Sequence, residues 1–558
     1  MTASANAQPI SSGRSGVTLP RGALVIPALV AVELGLLFVS HRVFFEWDGL
    51  LQIVAGQEIW AGRGYDGYAS HYWPPLFPLL TGFLSHFMSA YAAGKLVSLV
   101  AAVGLLYLVY ALAMEWWGDR LTAILCQAFV ALNTKFLVEG MRAENRLLDT
   151  FFFVLCFFLI IRTLRSPTWQ RFAMAGVVAG LAGLTRYPSY VLLPIGVAAI
   201  AWTFRDERGR ALRFAAWFAG SWAAVSVPWW IYNTIAHGAP LATWQYLNLG
   251  ISMFPEGAGG KWLFSDQGQY SGVWDLIRNR PAQFLAVIGH NLRQILVLTF
   301  QSVGTLELLL LPAVADGLFE RDRHARQTTV LAVAGYVLWV GMVSLVLIPL
   351  YIVVLWMVFG TMLCVRFLVK YIRWTAERVP IVRQWRLGWV LVAVLLVQGV
   401  RKDRWAVADF GGPHHDGSGR FAQAPAISRA LSQRDPGYRD KLLMAYHPSW
   451  GYELGATRWV QLPIYYRGDF AGLVALDSMN EKAKSYIPRW PARTPNSQLH
   501  ADYVVLDSDA VTTGLPQFGP LLRSDSLAPP SFRAIYRSPS VVVFDVRGGD
   551  STAPPARR

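Results

Sequence analysis

Long apolar runs dominate the first 400 residues of the chain. A helix needs about 20 predominantly apolar residues to cross the hydrocarbon core of a bilayer. We place eleven such runs, and two neighbouring pairs that can be divided differently widen the range to ten to twelve. The runs lie near residues 23–43, 91–115, 120–138, 147–161, 172–185, 188–204, 214–233, 302–319, 328–347, 349–369 and 387–401. The sequence therefore predicts a polytopic α-helical membrane protein.

Charged residues are scarce and unevenly distributed. They make up 15% of the chain, whereas a soluble domain usually carries about 25%. From position 401 onward, however, the chain holds 20 Lys or Arg and 15 Asp or Glu. This distribution excludes a single soluble globule, a disordered chain and a nucleic-acid-binding module. It predicts a membrane domain over residues 23–401 and a further domain over 402–558. The first twenty residues are rich in Ser, Gly, Ala and Pro, which predicts a short disordered cytoplasmic tail over 1–22.

Basic residues in the short loops predict the orientation in the membrane, because cytoplasmic loops are enriched in Lys and Arg. With eleven crossings, the basic loops all fall on one face, and the net charge of +15 is largely an insertion signal. We expect a multi-pass protein of the inner membrane with a cytoplasmic N-terminus. The basic positions are Arg14, Arg21, Arg120, Arg162, Arg165, Arg171, Arg205, Arg208, Arg210, Arg213, Arg321, Arg323, Arg326, Lys370, Arg373, Arg378, Arg383 and Arg386.

The opposite, extracytoplasmic face then holds the long outer loops 41–90 and 234–301, a short loop at 139–146, and the C-terminal domain. Short strands separated by turns predict that this last domain is a small α/β or α+β domain. It shows no glycine-rich phosphate loop and no catalytic Ser or Cys motif. The predicted strands are 441–446, 458–462, 503–506, 533–536 and 541–545, with a helix over 426–432.

The cysteines offer no framework for disulfides or a metal. Cys126, Cys156 and Cys364 each lie inside an apolar run, without the spacing of a metal site or a disulfide scaffold.

Asp48 is the most informative residue of the first outer loop. It follows the first apolar run directly, and the apolar spacing of LLQIVAGQEIW after it predicts a helix in the plane of the membrane interface. A carboxylate at the hydrocarbon boundary is costly, and partial desolvation raises its pKa. Asp48 is therefore a candidate general base. A helix N-cap is the structural alternative, since aspartate is favoured there.

Three segments resemble the GT-C glycosyltransferases, in particular the protein O-mannosyltransferases and aminoarabinose transferases. The first has an Asp after the first span, a surface helix, a Gly-Arg-Gly-Tyr break and a Tyr-x-Pro-Pro turn. The resemblance covers roughly residues 23–233 in detail, and beyond them only the layout matches. The other two segments read GMRAENRLLDTFFFVLCFFLIIR and GLAGLTRYPSYVLLPIGVAAIAW.

The resemblance implies a membrane glycosyltransferase whose sugar donor is linked to a polyprenyl phosphate. The residue matching Asp48 removes the proton of an acceptor hydroxyl, which attacks the anomeric carbon with inversion. The implied partners are the polyprenyl-phosphate-linked sugar, an acceptor glycan, lipid or protein, and the bilayer, with no nucleic acid. No cofactor is assigned, and a divalent metal stays open.

Arginine suits the leaving phosphate, because its planar guanidinium gives two directed hydrogen bonds. Arg186 is the first candidate, with a snorkelling arginine as the structural alternative. One of the two acids Glu144 and Asp149 is a candidate to position the acceptor or hold a metal, and the other is a candidate to pair with Arg146. The further candidate donor or acceptor contacts are Arg142, Arg146, Lys261, His71 and Tyr72. The structural alternatives are local ion pairing for the two arginines, an exposed loop position for the lysine, and an interfacial aromatic belt for His71 and Tyr72.

Two readings of other classes remain. A lipid flippase or solute transporter should carry ionisable residues in the middle of several spans, and Glu33 alone lies near the centre of an apolar run. A non-catalytic membrane scaffold that displays residues 402–558 is the third reading. It predicts that Asp48 is dispensable and the C-terminal domain is not.

Overall fold

A computed structural model provides the three-dimensional structure. It describes residues 21–40, 47–65, 70, 72–243, 245, 249, 253, 272–345, 354–381, 386–410, 421–462, 468–474 and 501–547.

The first half of the chain forms a bundle of long helices joined by short turns. The helix predicted after Asp48 is present as α2. Its residues 49–56 are all buried, so its predicted place at a membrane surface is not confirmed. Helix α3 follows the Trp73-Pro74-Pro75 turn. The helices are α1 (Arg21–Ser40), α2 (Trp47–Trp60), α3 (Leu76–Leu84), α4 (Ala90–Trp117), α5 (Arg120–Ala131), α6 (Thr134–Met141), α7 (Arg146–Arg165), α8 (Trp169–Thr185), α9 (Leu192–Thr203) and α10 (Arg208–His237). A 3₁₀ turn, Tyr187–Val191, joins α8 to α9.

The second half of the membrane domain continues the bundle. Its helices are α11 (Val273–Asn279), α12 (Pro281–Ser302), α13 (Leu310–Leu318), α14 (Arg323–Ser344), α15 (Val354–Arg378) and α16 (Leu387–Phe410). Five described helices are long and apolar enough to cross a membrane, namely α1, α4, α7, α14 and α15. Two bent pairs, α5 with α6 at 59° and α12 with the segment ending in α13 at 109°, raise this number to seven.

Each predicted apolar run is helical over most of its described length. The prediction of a polytopic helical membrane protein is confirmed, while the number of eleven crossings stays a prediction. One boundary is wrong: Glu139 lies in α6 rather than in the loop that follows, because the chain bends between α5 and α6 and then resumes its helix. Glu33 lies on the exposed face of α1. The three cysteines are buried and free.

The C-terminal residues form a five-stranded sheet flanked by short helices, as predicted. The elements are α17 (Ala424–Arg434), β1 (Leu442–Ala445), α18 (Pro448–Glu453), β2 (Arg458–Gln461), α19 (Phe470–Val474), β3 (Tyr503–Asp507), α20 (Ser508–Thr513), β4 (Arg533–Arg537) and β5 (Val541–Asp545). The strand order is β2-β1-β3-β5-β4. Strands β2, β1 and β3 run parallel, and β5 pairs antiparallel with both β3 and β4. The fully buried β1, β3 and β5 explain their unbroken apolar sequences.

The sheet domain shares a hydrophobic core with one end of the bundle. Tyr65, Tyr72 and Trp73 of the segment between α2 and α3, together with Trp229 of α10, pack into the same buried cluster as the sheet. The Tyr91 hydroxyl donates a hydrogen bond of 2.7 Å to Glu453 Oε1. These contacts place the C-terminal domain on the side of the bundle where α2 lies.

Candidate active site

Asp48 lies in the first turn of α2 and is half-buried. The glycine beside it determines what the carboxylate faces. A Cβ at Gly49 would lie 2.2 Å from the carbonyl oxygen of Ala143 and 3.0 Å from Cγ of Glu144. Only glycine permits so close an approach of two backbones. The start of α2 is therefore pressed against residues 143–144, and Asp48 lies beside Glu144.

Glu144 is itself held by an arginine. Arg146 Nη2 lies 2.6 Å from Glu144 Oε2, and its Nη1 lies 3.0 Å from Glu139 Oε1. Arg142 reaches the same Glu139 oxygen at 3.3 Å. Glu139, Glu144 and Arg146 are all buried, which is tolerable for charges only when they are paired. Of the two acids considered as partners of Arg146, Glu144 forms the ion pair. Helix α7 begins at Arg146, two residues after Glu144.

Arg186 lies where α8 ends, in an extended backbone conformation that leads into the 3₁₀ turn. Its charge interacts with those of Asp149, Arg146, Glu144 and Asp48. None of the carboxylates in the described part of the chain comes within ion-pairing distance of its guanidinium. Arg186 is also only half-buried. Arg186 is therefore a cation close to Asp48, Glu144 and Asp149 that forms no ion pair with any of these three carboxylates.

Hydrogen bonds hold the segment at residues 144–149 against the segment at residues 185–189. Asn145 Nδ2 donates to the carbonyl oxygen of Thr185 at 3.1 Å, and the Ser189 hydroxyl donates to Asp149 Oδ1. The Ser98 hydroxyl donates to the Glu144 carbonyl at 3.3 Å. Because Thr185 and Ser189 lie on either side of Arg186 in the sequence, their hydrogen bonds hold its backbone near Glu144 and Asp149.

The environment of Asp48 alters its acidity. Burial, followed by the negative charge of Glu144, raises the pKa of Asp48 from 3.8 to about 6, while Arg146 and Arg186 act in the opposite direction. No described side chain donates a hydrogen bond to its carboxylate. Asp48 is thus ionised at neutral pH, yet it is a stronger proton acceptor than an ordinary aspartate.

The remaining sequence candidates lie elsewhere or outside the described residues. Tyr72 is buried in the core shared with the sheet domain, where its carbonyl accepts a hydrogen bond of 2.9 Å from Gln245 Nε2. His71 and Lys261 lie outside the described residues, so their roles stay predictions. Over the described ranges, no group of three or more His, Cys, Asp or Glu gathers as a metal site.

Sequence reasoning missed three contributors to the site: Glu139, Gly49 and Ser189. Glu139 precedes Arg142 by three residues and Arg146 by seven, a helical spacing that could have drawn attention to it. Gly49 and Ser189 gave no such signal, because their roles depend on contacts with distant parts of the chain.

Comparison with known proteins agrees with this architecture. Residues 69–239, less than a third of the chain, match the family model described as PMT, dolichyl-phosphate-mannose-protein mannosyltransferase. No curated protein sequence matches the chain.

Two solved structures of ArnT from Cupriavidus metallidurans share the fold along nearly the whole chain. The structure bound to undecaprenyl phosphate has a TM-score of 0.52 at 14% identity and covers 94% of this chain and 98% of its own. The apo structure has a TM-score of 0.51 at 15% identity, with 96% and 99% covered. Together, the family match and the shared fold confirm the predicted resemblance to the polyprenyl-phosphate-sugar-dependent membrane glycosyltransferases of the GT-C fold.

Proposed function

We propose that this membrane protein transfers a sugar from a polyprenyl-phosphate carrier to an acceptor hydroxyl on the extracytoplasmic face, with inversion at the anomeric carbon. The family match and the fold support the reaction class. The observation that carries the assignment of residues is the juxtaposition of Asp48, Glu144 and Arg186 at one end of the bundle.

Asp48 is the general base of the proposed reaction. Its carboxylate takes the proton of the acceptor hydroxyl as the acceptor oxygen bonds to the anomeric carbon. The bond from that carbon to the phosphate oxygen breaks, and the lipid phosphate leaves with the bonding electron pair. A positioned base of suitable pKa contributes roughly 10²–10⁴-fold to such a step.

Arg186 is the cation that receives the leaving phosphate. Arg146 is already bound by Glu144 and Glu139, and Arg142 by Glu139, so these two arginines organise the acidic side of the site. Arg186 keeps its guanidinium edges for a ligand. Charge stabilisation of this kind acts most strongly when the donor is held in place before the reaction, and the Asn145 and Ser189 hydrogen bonds hold the segments around Arg186.

The arrangement of charges along the bundle supports the extracytoplasmic face. Helix α7 carries Arg146 of the site at one end and Arg165 at the other, where it pairs with Glu115 at 3.1 Å. The 20 residues of α7 span about 30 Å at 1.5 Å per residue, the thickness of the hydrocarbon core. The basic loops that indicate the cytoplasm lie at the Arg165 end, so the site faces the other side.

The test is sugar transfer by membranes that contain the Asp48→Asn protein, from a panel of labelled polyprenyl-phosphate sugars. Wild-type membranes should transfer one of them, and the variant should be slower by at least 100-fold. Asp206→Asn is the matched control, because that side chain is 91% exposed in a loop at the far end of the bundle. Retained wild-type turnover by Asp48→Asn refutes the base, and an inactive wild type across the panel refutes the reaction.

A further inference from the structure

We propose that a cavity between the sheet domain and helices α1 and α4 binds the acceptor, and that this acceptor is an anionic amphiphile carrying hydroxyl groups. This inference rests on the proposed function, since it names the class of molecule that delivers the attacking hydroxyl.

The cavity has a volume of about 1010 Å³. The membrane domain contributes the last turns of α1 and the first turns of α4, and the C-terminal domain contributes α18 and the residues around the start of α17. Most of the wall is apolar, including Phe38, Val39, Met88, Leu96 and Phe421. Val39 is 81% exposed, so this wall continues into the lipid-facing surface of α1. Such a wall suits a hydrocarbon chain that enters from the bilayer.

The polar groups of the cavity come from two sides. Lys95 is 8% exposed, and its ammonium lies 5.5 Å from the centre of the Phe38 ring. Across from it, Glu453 accepts the hydrogen bond of Tyr91, whose ring lies 4.6 Å from that of Tyr452. An ammonium beside apolar walls recognises an anionic headgroup. A carboxylate fixed by a tyrosine can accept hydrogen bonds from alcohols.

The topology of the sheet points to the same place. The strand order β2-β1-β3 means that the chain leaves β1 toward one side and later returns to its other side. Ligands of open parallel sheets bind beyond the carboxyl ends of the strands at such a switch point. Here α18 follows the carboxyl end of β1, and its Tyr452 and Glu453 line the cavity. The edge of the sheet that usually binds ligands thus faces the membrane domain.

Helix α4 links the cavity to Asp48. Gly94 and Ser98 on one side of this helix contact the segment at residues 143–144, which also holds Asp48 in place. Tyr91 and Lys95, which precede Gly94 and Ser98 by three residues each, line the cavity. An amphiphile in the cavity therefore lies across α4 from the segment that contacts the start of α2. Its hydroxyl then approaches Asp48 from the side of α4, whereas Arg186 lies where α8 ends.

The experiment measures binding to the purified full-length protein in detergent. The probes are fluorescent phosphatidylglycerol, which combines a phosphate with free hydroxyls, fluorescent phosphatidylcholine, and undecaprenyl phosphate. Wild-type protein should prefer phosphatidylglycerol to phosphatidylcholine. Lys95→Met should weaken phosphatidylglycerol binding about tenfold, the effect of one lost charge-assisted hydrogen bond, and Lys95→Arg should retain it.

A second variant keeps the test independent of the buried lysine. Ala92 lines the cavity and is exposed, so Ala92→Trp should fill the cavity without disturbing the helix, whereas Val100→Trp on the exposed face of α4 should change nothing. Undecaprenyl phosphate should bind equally to the four variants Lys95→Met, Lys95→Arg, Ala92→Trp and Val100→Trp. Its affinity should fall in Arg186→Ala.

The inference is overturned if the wild type shows no preference for phosphatidylglycerol. It is also overturned if Lys95→Met and Ala92→Trp leave that binding intact, or if they weaken undecaprenyl phosphate instead, which would make this the donor site. Because binding requires no turnover, Asp48→Asn should bind phosphatidylglycerol as the wild type does. The cavity and the proposed reaction can therefore fail separately.

Discussion

Replacing Asp48 by asparagine should make the folded protein more stable at neutral pH while it abolishes transfer. The ordinary aspartate pKa of 3.8 is raised to about 6 in the folded protein, chiefly by burial and then by Glu144. This difference corresponds to about 3 kcal/mol, since a tenfold change in acid dissociation is worth about 1.4 kcal/mol. The side chain is half-buried, so screening by water makes this an upper bound.

The sign of the effect follows from where the proton is held. Below pH 3.8 the folded and unfolded states both carry it, and the burial of Asp48 costs no charge. Between pH 3.8 and 6 the folded state retains the proton longer, so this carboxyl makes the free energy of unfolding fall as the pH rises. Above pH 6 the full cost applies. Asparagine has nearly the same shape and no charge, and it avoids that cost at every pH.

The assay is thermal unfolding of the purified wild-type, Asp48→Asn and Asp206→Asn proteins in detergent at pH 5 and pH 8. Asp48→Asn should unfold at a higher temperature than the wild type, by a margin that is larger at pH 8. Asp206→Asn should follow the wild type at both. If the difference in unfolding temperature between Asp48→Asn and the wild type is absent, reversed or independent of pH, burial of the charged Asp48 carboxylate does not destabilise the folded protein and the reasoning is refuted.

Three further outcomes are expected. Glu144→Gln removes a negative charge beside Asp48 and one of the two ion pairs of Arg146, so the pKa of Asp48 should fall from about 6. The acid limb of the pH–rate profile, which we expect near this pKa in the wild type, should then move to lower pH; an unmoved limb contradicts the coupling. Arg186→Ala should lower kcat/KM for the lipid-linked donor by about 10²–10³-fold, with partial recovery in Arg186→Lys, and an equal loss in both would argue for a structural role. Gly49→Ala would bring a Cβ within 2.2 Å of a backbone oxygen, so it should displace α2 and remove most of the activity. Gly35→Ala is the control, because Gly35 has open space around it, and it should not change the activity. Comparable activities of the two variants would show that the contact of Gly49 is not needed.

Local sequence patterns were sufficient for the elements of this fold. The β-strands were predicted to within one or two residues because β1, β3 and β5 are short apolar runs bounded by turns, a pattern that buried strands require. A helix after Asp48 was evident from its apolar spacing, but that spacing gave no sign that residues 49–56 would all be buried. The bend between α5 and α6 was not, because hydropathy reports which residues are apolar and not the direction in which a helix points.

The partners within the site could not be read from the chain in the same way. Glu144 and Asp149 both lie within three residues of Arg146 in the sequence. Glu144 forms the ion pair, whereas Asp149 accepts a hydrogen bond from Ser189, which lies 40 positions further along the chain. Glu139 joins the network through the turn that follows α6. The approach of Gly49 to Ala143 links residues nearly 100 positions apart, which no local pattern records.

The core that the sheet shares with one end of the bundle has a consequence for biogenesis. Tyr65, Tyr72, Trp73 and Trp229 are all synthesised before the strands that cover them. Until the sheet domain has folded, a nascent chain presents this aromatic surface to chaperones and proteases. A product that lacks the sheet domain would keep it uncovered, so quality control can distinguish finished molecules from aborted ones at the surface where the two domains meet.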